Sequence, residues 1–159
     1  MKTISINGNE YVLEYSFAAV EHKSTVQKMF NVVSGAYLVK DVALDDKEEE
    51  KENTVSTMIS GVSEMVADIP HIVRSAFYAG LLENHSDITE DDAYQLMKQY
   101  MRENKISFNK LFEDIKECME DDGFFDLSGL NDVMENVNQN MKKAQATKKK
   151  NQKNSTSTN

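Results

Sequence analysis

The side chains best suited to catalysis or metal binding in this sequence are three His, one Cys and a few adjacent acids. His22, His71 and His85 fall on separate expected elements. None has Cys, Asp or Glu at the HExxH or CxxC spacings that close a metal shell. Cys118 stands beside Met119 on an arc expected to face the core, where a buried, unreactive thiol is the default. A thiol nucleophile needs a His base and an oxyanion site, and the sequence suggests neither. A lone Cys also excludes an intrachain disulfide. Asp121-Asp122-Gly123 invites a calcium-loop reading. With Gly123 at the sixth position, however, the first would be Cys118, which cannot supply the hard oxygen ligand required there. Asp91-Asp92 belongs to an expected helix start, where carboxylates complement the helix dipole. The phosphate-cradling and nucleophile-elbow patterns GxxxxGK(S/T), GxGxxG and GxSxG are absent. The expectation is a protein without catalytic residues, cofactor site or metal site.

The elements that would position any functional surface are mostly helical. Ile4 and Ile6, then Tyr11, Leu13 and Tyr15, alternate around Asn7-Gly8-Asn9, a hairpin signature with strands near Thr3–Ile6 and Glu10–Tyr15. One hairpin is marginal alone, so it must lie on a helix. Ser16 offers an N-cap for a helix through Val20, Lys23 and Phe30 to about Val33, with Val26, Phe30, Val33 and Tyr37 on one side. Ser34-Gly35 marks a break. Thr54 opens an amphipathic helix whose Val55, Met58, Val62, Met65 and Ile69 follow spacings of 3, 4, 3 and 4. It is expected to stop before Pro70, whose ring disfavours a helical predecessor. A second helix runs from about Ile72 to Leu82 with Val73, Ala76, Phe77 and Leu81. Thr89 and Asp92 form a capping-box start for a helix burying Ala93, Leu96, Met97, Tyr100 and Met101. Ser107 caps the next, whose face is Phe108, Leu111, Phe112, Ile115 and Met119, and Gly123 ends it at a left-handed position. Leu127, Leu130, Val133 or Met134, Val137 and Met141 form a last helix.

Charge divides the chain. The net charge is −9, from 18 basic and 27 acidic residues. From Lys142 onward there are six Lys and no acid, which leaves 12 bases against 27 acids before it, a net −15. Such a body is repelled by nucleic acid and by anionic lipid. Asp45–Glu52 reads DDKEEEKE, net −4 with no apolar residue, so residues 45–53 are expected to form an acidic loop. Hydrophobic residues reach 40%, below the roughly 45–50% typical of globular domains. The shortfall points to a solvated segment, and 142–159, rich in Lys, Asn, Ser and Thr, is expected to be a disordered tail. The N-terminus turns polar at Asn7, unlike a signal peptide, and no apolar run approaches a membrane span. The cytoplasm is the expected compartment. The fold expectation is mainly α: one domain over 1–141, with five or six helices, a small N-terminal β-hairpin and the tail.

Nine Met are a compositional oddity. Met58, Met65, Met97, Met101 and Met119 fall on core-facing arcs and fill gaps there. Met134 and Met141, with Leu130 and Val137, lie on the terminal helix and are the candidate partner-binding residues.

Two stretches resemble a known family, the tail assembly chaperones of long-tailed phages and prophages of Gram-positive hosts. The first is INGNEYVLEYSF, Ile6 to Phe17, which is similar to that family's opening strand–turn–strand. The second is AGLLENHSDITEDDAYQL, Ala79 to Leu96, which is similar to its small-residue step, polar loop and Thr-capped acidic helix start. The resemblance implies a non-catalytic role: binding and solubilising the tape measure protein and helping to recruit tail tube subunits. It further implies residence in the host cytoplasm and absence from the mature virion, and is compatible with a homo-oligomer. Many members have a frameshifted longer form, and Lys148-Lys149-Lys150-Asn151 is compatible with an A-rich slippery codon run. The alternative, from another class, is an acidic regulatory or inhibitor protein that mimics nucleic acid and occupies a basic protein site.

Overall fold

A computed structural model of the chain describes residues 1–36, 50–136 and 139, with the side chains of 50–59 excepted. It is mainly helical with an N-terminal two-stranded antiparallel hairpin. Strands β1 (Lys2–Ile6) and β2 (Asn9–Leu13) pair with Ile4 opposite Tyr11 and Ile6 opposite Asn9. Asn7 and Gly8 both take positive φ, 53° and 79°, which a two-residue hairpin turn requires. Ile4, Ile6 and Leu13 enter the core from one face of the hairpin. β2 stops two residues short of the expected Tyr15. The chain leaves the sheet because Glu14 N–H donates to the Gly80 carbonyl at 2.8 Å and Tyr15 N–H to Asp122 Oδ2 at 2.9 Å.

The expected helix from Ser16 to Val33 is two helices, α1 (Phe17–Glu21) and α2 (Lys23–Val33), broken at His22 with ψ 85°. Ser16 does not cap α1 with its own oxygen. Its hydroxyl donates to Glu83 Oε2 at 2.8 Å, and the same carboxylate accepts Ala18 N–H at 3.0 Å. The buried positions of α2 are Thr25 and Met29 rather than Val26, Phe30 and Val33, which are only partly buried. A polar residue enters the core here because it is satisfied: Thr25 Oγ1 donates to the Ser75 carbonyl at 3.0 Å and lies 2.9 Å from Ser75 Oγ. Tyr37, the fourth residue of the expected face, lies outside the described residues.

Helix α3 (Glu50–Leu81) corrects three expectations. It begins before Thr54, so residues 50–53 of the acidic run are helical rather than looped; 45–49 lie outside the described residues. It continues through Pro70 instead of ending there, joining two expected helices into one. A Pro inside a helix removes one backbone bond and strains one turn. Burial on both sides offsets this: Ile69, Ile72, Val73, Ala76 and Phe77 form one apolar strip across the proline. α3 is the central element, packed against α1, α2, β2 and the two helices that follow.

Those helices are α4 (Glu90–Asn104) and α5 (Phe108–Asp121). Thr89 and Asp92 form the reciprocal capping box, and Ser107 Oγ accepts Lys110 N–H at 3.2 Å. Ala93 and Met97 of α4 are buried, as are Leu111, Phe112, Ile115, Cys118 and Met119 of α5. Gly123 follows with φ 73°, then the short α6 (Phe124–Leu127) and a helical stretch over 130–136. Phe124 and Phe125, absent from the expected core, are buried in it. Phe124 meets Tyr15 edge-on at 6.3 Å and Phe125 at 5.5 Å. Seven helical segments are thus described, against five or six expected. The segment 142–159 lies outside the described residues.

Candidate interaction surface

The sequence's chemical side chains are placed apart. His71 is exposed on α3. His22 forms the α1–α2 joint, its Nδ1 2.8 Å from Thr25 Oγ1 and its ring edge-on to Tyr78 at 5.4 Å. Partial burial holds its pKa below the usual 6.5. His85 follows α3 and uses Nε2 to accept Val12 N–H at 3.0 Å, which leaves Nδ1 as the protonated nitrogen. Cys118 is buried, its Sγ 3.9 Å from the Leu13 carbonyl, and burial pushes the thiol pKa up. That environment opposes the thiolate a nucleophile needs. Among the described residues no three His, Cys, Asp or Glu side chains are grouped to hold a metal ion. Among the same residues, no helix is long and apolar enough to cross a membrane.

Of the four expected partner-binding residues, only Leu130 and Met134 are among the described residues. Leu130 is 5% exposed and packs in the core rather than on the surface. It is held inside because Gly129, at φ 71°, turns the chain back after α6. Met134 is half-buried, and Val137 and Met141 lie outside the described residues. Among the described residues of this region, Leu127 and Val133 are exposed apolar side chains.

Two other features stand out. On α3, Val62 and Val66 are four residues apart, on one side of the helix, and are 45% and 50% exposed. Met65 beside them is half-buried, and Ser60, Ser63, Glu64 and Ala67 are exposed around them. The amphipathic face expected from Val55 to Ile69 is therefore buried at Ile69 and open at Val62; the side chains of Val55 and Met58 lie outside the described residues. Val66 is not on the expected face, although its spacing from Val62 is a signal that could have found it.

The second feature is a recess where 6–17 meets 79–96. Besides the contacts of Val12, Glu14, Ser16 and Ala18 already given, Asn84 Nδ2 donates to Glu14 Oε2 at 3.0 Å, and the Tyr11 and His85 rings lie 5.4 Å apart. The Tyr11–His85 pair borders an open recess of about 490 Å³ walled by these two rings with Ile88 and Leu96. Asp87, Asp92 and Gln95 supply its polar lining. The two stretches that carry the family resemblance are therefore neighbours in space, joined by hydrogen bonds that no local pattern encodes.

Fold and surface together define a mainly helical protein with an N-terminal hairpin, an exposed apolar row on its longest described helix and a polar-rimmed recess beside the hairpin. No family model, curated protein or solved structure matches the chain.

Proposed function

We propose that the chain is a non-catalytic tail assembly chaperone of the long-tailed phage type. In this reading it binds and solubilises the tape measure protein in the host cytoplasm, helps bring tail tube subunits to it, and is left out of the finished virion. The observation that carries the reading is the exposed Val62–Val66 row with Met65 beside it. A helix of 32 residues is about 48 Å long, and its outward apolar row suits an amphipathic partner helix laid along it. Isolated exposed aliphatics need no explanation, but two in register on an otherwise polar, solvated turn offer a docking strip. The negative body adds solubility to whatever it coats. The nucleic-acid-mimic alternative gains less support, since acids on α5 pair with neighbouring lysines: Lys110 with Asp114 at 2.7 Å and Lys116 with Glu120 at 3.2 Å.

Co-expression with the tape measure protein tests the proposal. The long protein should move from the insoluble to the soluble fraction and co-purify with this chain. The doubly substituted V62D/V66D chain should lose that effect while keeping its far-ultraviolet circular dichroism and melting temperature. An unchanged insoluble fraction with the unaltered chain would refute the chaperone role. Full rescue by the double variant would refute the assigned surface.

A further inference from the structure

We propose that the recess between the hairpin and the start of α4 receives a lysine side chain carried by a partner polypeptide. A lysine has a four-carbon apolar stem and a compact terminal charge, so its receptor needs an apolar wall ending in acids. The recess has both parts in its lining. Tyr11, Ile88 and Leu96 are half-buried and give the wall, including an aromatic ring that can face an ammonium. Asp87 and Asp92 give the charge, and neither Lys nor Arg lines the recess.

The neighbouring charges leave this pair of acids unneutralised. Glu90 and Asp91 in the same helical turn are engaged by Arg74, at 3.5 and 3.2 Å. Asp92 takes the Thr89 backbone N–H on Oδ2, and bonds from Thr89 hold its carboxyl below the usual range, so it carries full charge near neutral pH. Asp87 has no ion-pair partner among the described residues. The N-terminus of α4 contributes roughly half a positive charge, which two carboxylates outweigh. The wall is also fixed in place: His85 bonds to Val12 through Nε2, and its ring lies 5.4 Å from that of Tyr11. The inference goes beyond the chaperone reading and does not depend on it.

The test is titration of the isotopically labelled full chain with N-acetyl-lysine methylamide, followed by backbone amide shifts. N-acetyl-norleucine methylamide, which keeps the four-carbon stem and lacks the charge, is the control. Saturable shifts at Tyr11, Val12, His85, Ile88 and Gln95 with the lysine probe, and none with the control, are expected. D87N, at an exposed position without a structural bond, should weaken binding about two- to fivefold, the range an exposed ion pair spans. Equal response to norleucine, or shifts of the same midpoint on the acidic face of α5, would overturn the site. So would an undiminished affinity in D87N. If K148Q/K149Q/K150Q moved the same signals without any probe, the occupant would be the chain's own lysines and the partner assignment would fall.

Discussion

Gly80 is a close approach between the chain's N-terminal part and α3, and replacing it tests whether that contact is a fixed constraint. A Cβ at Gly80 would lie 2.7 Å from Tyr15 Cζ, 2.8 Å from Oη and 3.1 Å from Cε1. Ordinary carbon contacts begin near 3.5 Å, so the ring would have to retreat by roughly 0.8 Å. It has little room to do so. Tyr15 is fully buried, its backbone N–H is tied to Asp122, and Phe124 closes one side edge-on. Overpacking of this kind costs about 1–3 kcal/mol. Removing a glycine from a helix returns about 0.5–1 kcal/mol, less near an end such as this one. G80A should therefore lose about 0.5–2 kcal/mol, measured by urea unfolding followed by circular dichroism. At about 2–4 °C per kcal/mol for a chain of this size, the melting temperature should fall by about 1–8 °C.

Tyr15→Phe provides the second arm. The Tyr15 hydroxyl is buried without a hydrogen-bond partner among the described residues, so its removal should be neutral or stabilise by up to about 1 kcal/mol. It also removes one of the three close atoms facing the new methyl group. G80A should then cost less when combined with Y15F than in the parent chain, with a coupling of about 0.5–1 kcal/mol. Strict additivity, or a G80A chain as stable as the parent, would show that the ring yields freely and that the packing argument is wrong.

Three further outcomes follow from single sites. P70A should raise stability, by up to about 3 kcal/mol, because the helix already runs through the position and regains its missing N–H; a lower melting temperature would contradict the continuous helix. T25V should cost about 1–3 kcal/mol by taking from buried Ser75 the donor to its carbonyl and one of the two partners of its hydroxyl, the other being Ser24 Oγ, and T25V/S75A should cost less than the sum of the single changes. The pH profile should fall at both ends. Burial raises the Tyr15 and Cys118 pKa values in the folded state above 10.0 and 9.0, so the unfolded chain ionises first. Stability present below pH 9 is then lost as pH rises, at up to about 1.4 kcal/mol per pH unit for each proton. On the acid side the folded His22 pKa lies below 6.5 and that of Glu83 below 4.5, so the unfolded state takes protons first and stability declines as pH drops through those values. A flat profile in urea midpoints from pH 4 to 10.5 would refute both assignments.

The elements readable from sequence are those whose instructions are local. Asn7-Gly8 sets the hairpin by backbone conformation, Thr89 and Asp92 cap α4 across three residues, and α5 declares its face by strict periodicity. The misread features are those in which a distant group replaces the local one. Glu83 caps α1 in place of Ser16, and Asp122 draws Tyr15 out of the strand. Each is a polar bond spanning 65 to 107 residues, and hydropathy is silent on which polar groups will meet. The recess shares this origin, since its walls come from two segments whose approach depends on long-range polar bonds, such as that of Val12 to His85, as well as on apolar burial. The burial of Leu130 was hidden for a related reason: a period of three and four shows which side of a helix is apolar, and says nothing about whether another element covers it.

Pro70 links this last point to the exposed row. Local sterics favour a helix end there, and a chain that turned at Pro70 could have folded the preceding segment back to bury Val62 and Val66. Instead, the strip from Ile69 to Phe77 is clamped by neighbours on several sides, and its burial outweighs one lost backbone bond and one strained turn. The continuous helix fixes the direction of residues 60–68, which lie beyond Ile69 with most side chains exposed. Exposure of the apolar row thus follows from how firmly the helix's second half is held. Weakening that half with F77A, at a fully buried position, should loosen the presentation of Val62 and Val66 as well as the core. Partner capture should then fall in F77A even at temperatures where circular dichroism still reports a folded chain; capture that tracked only the folded fraction would separate the row from the clamp.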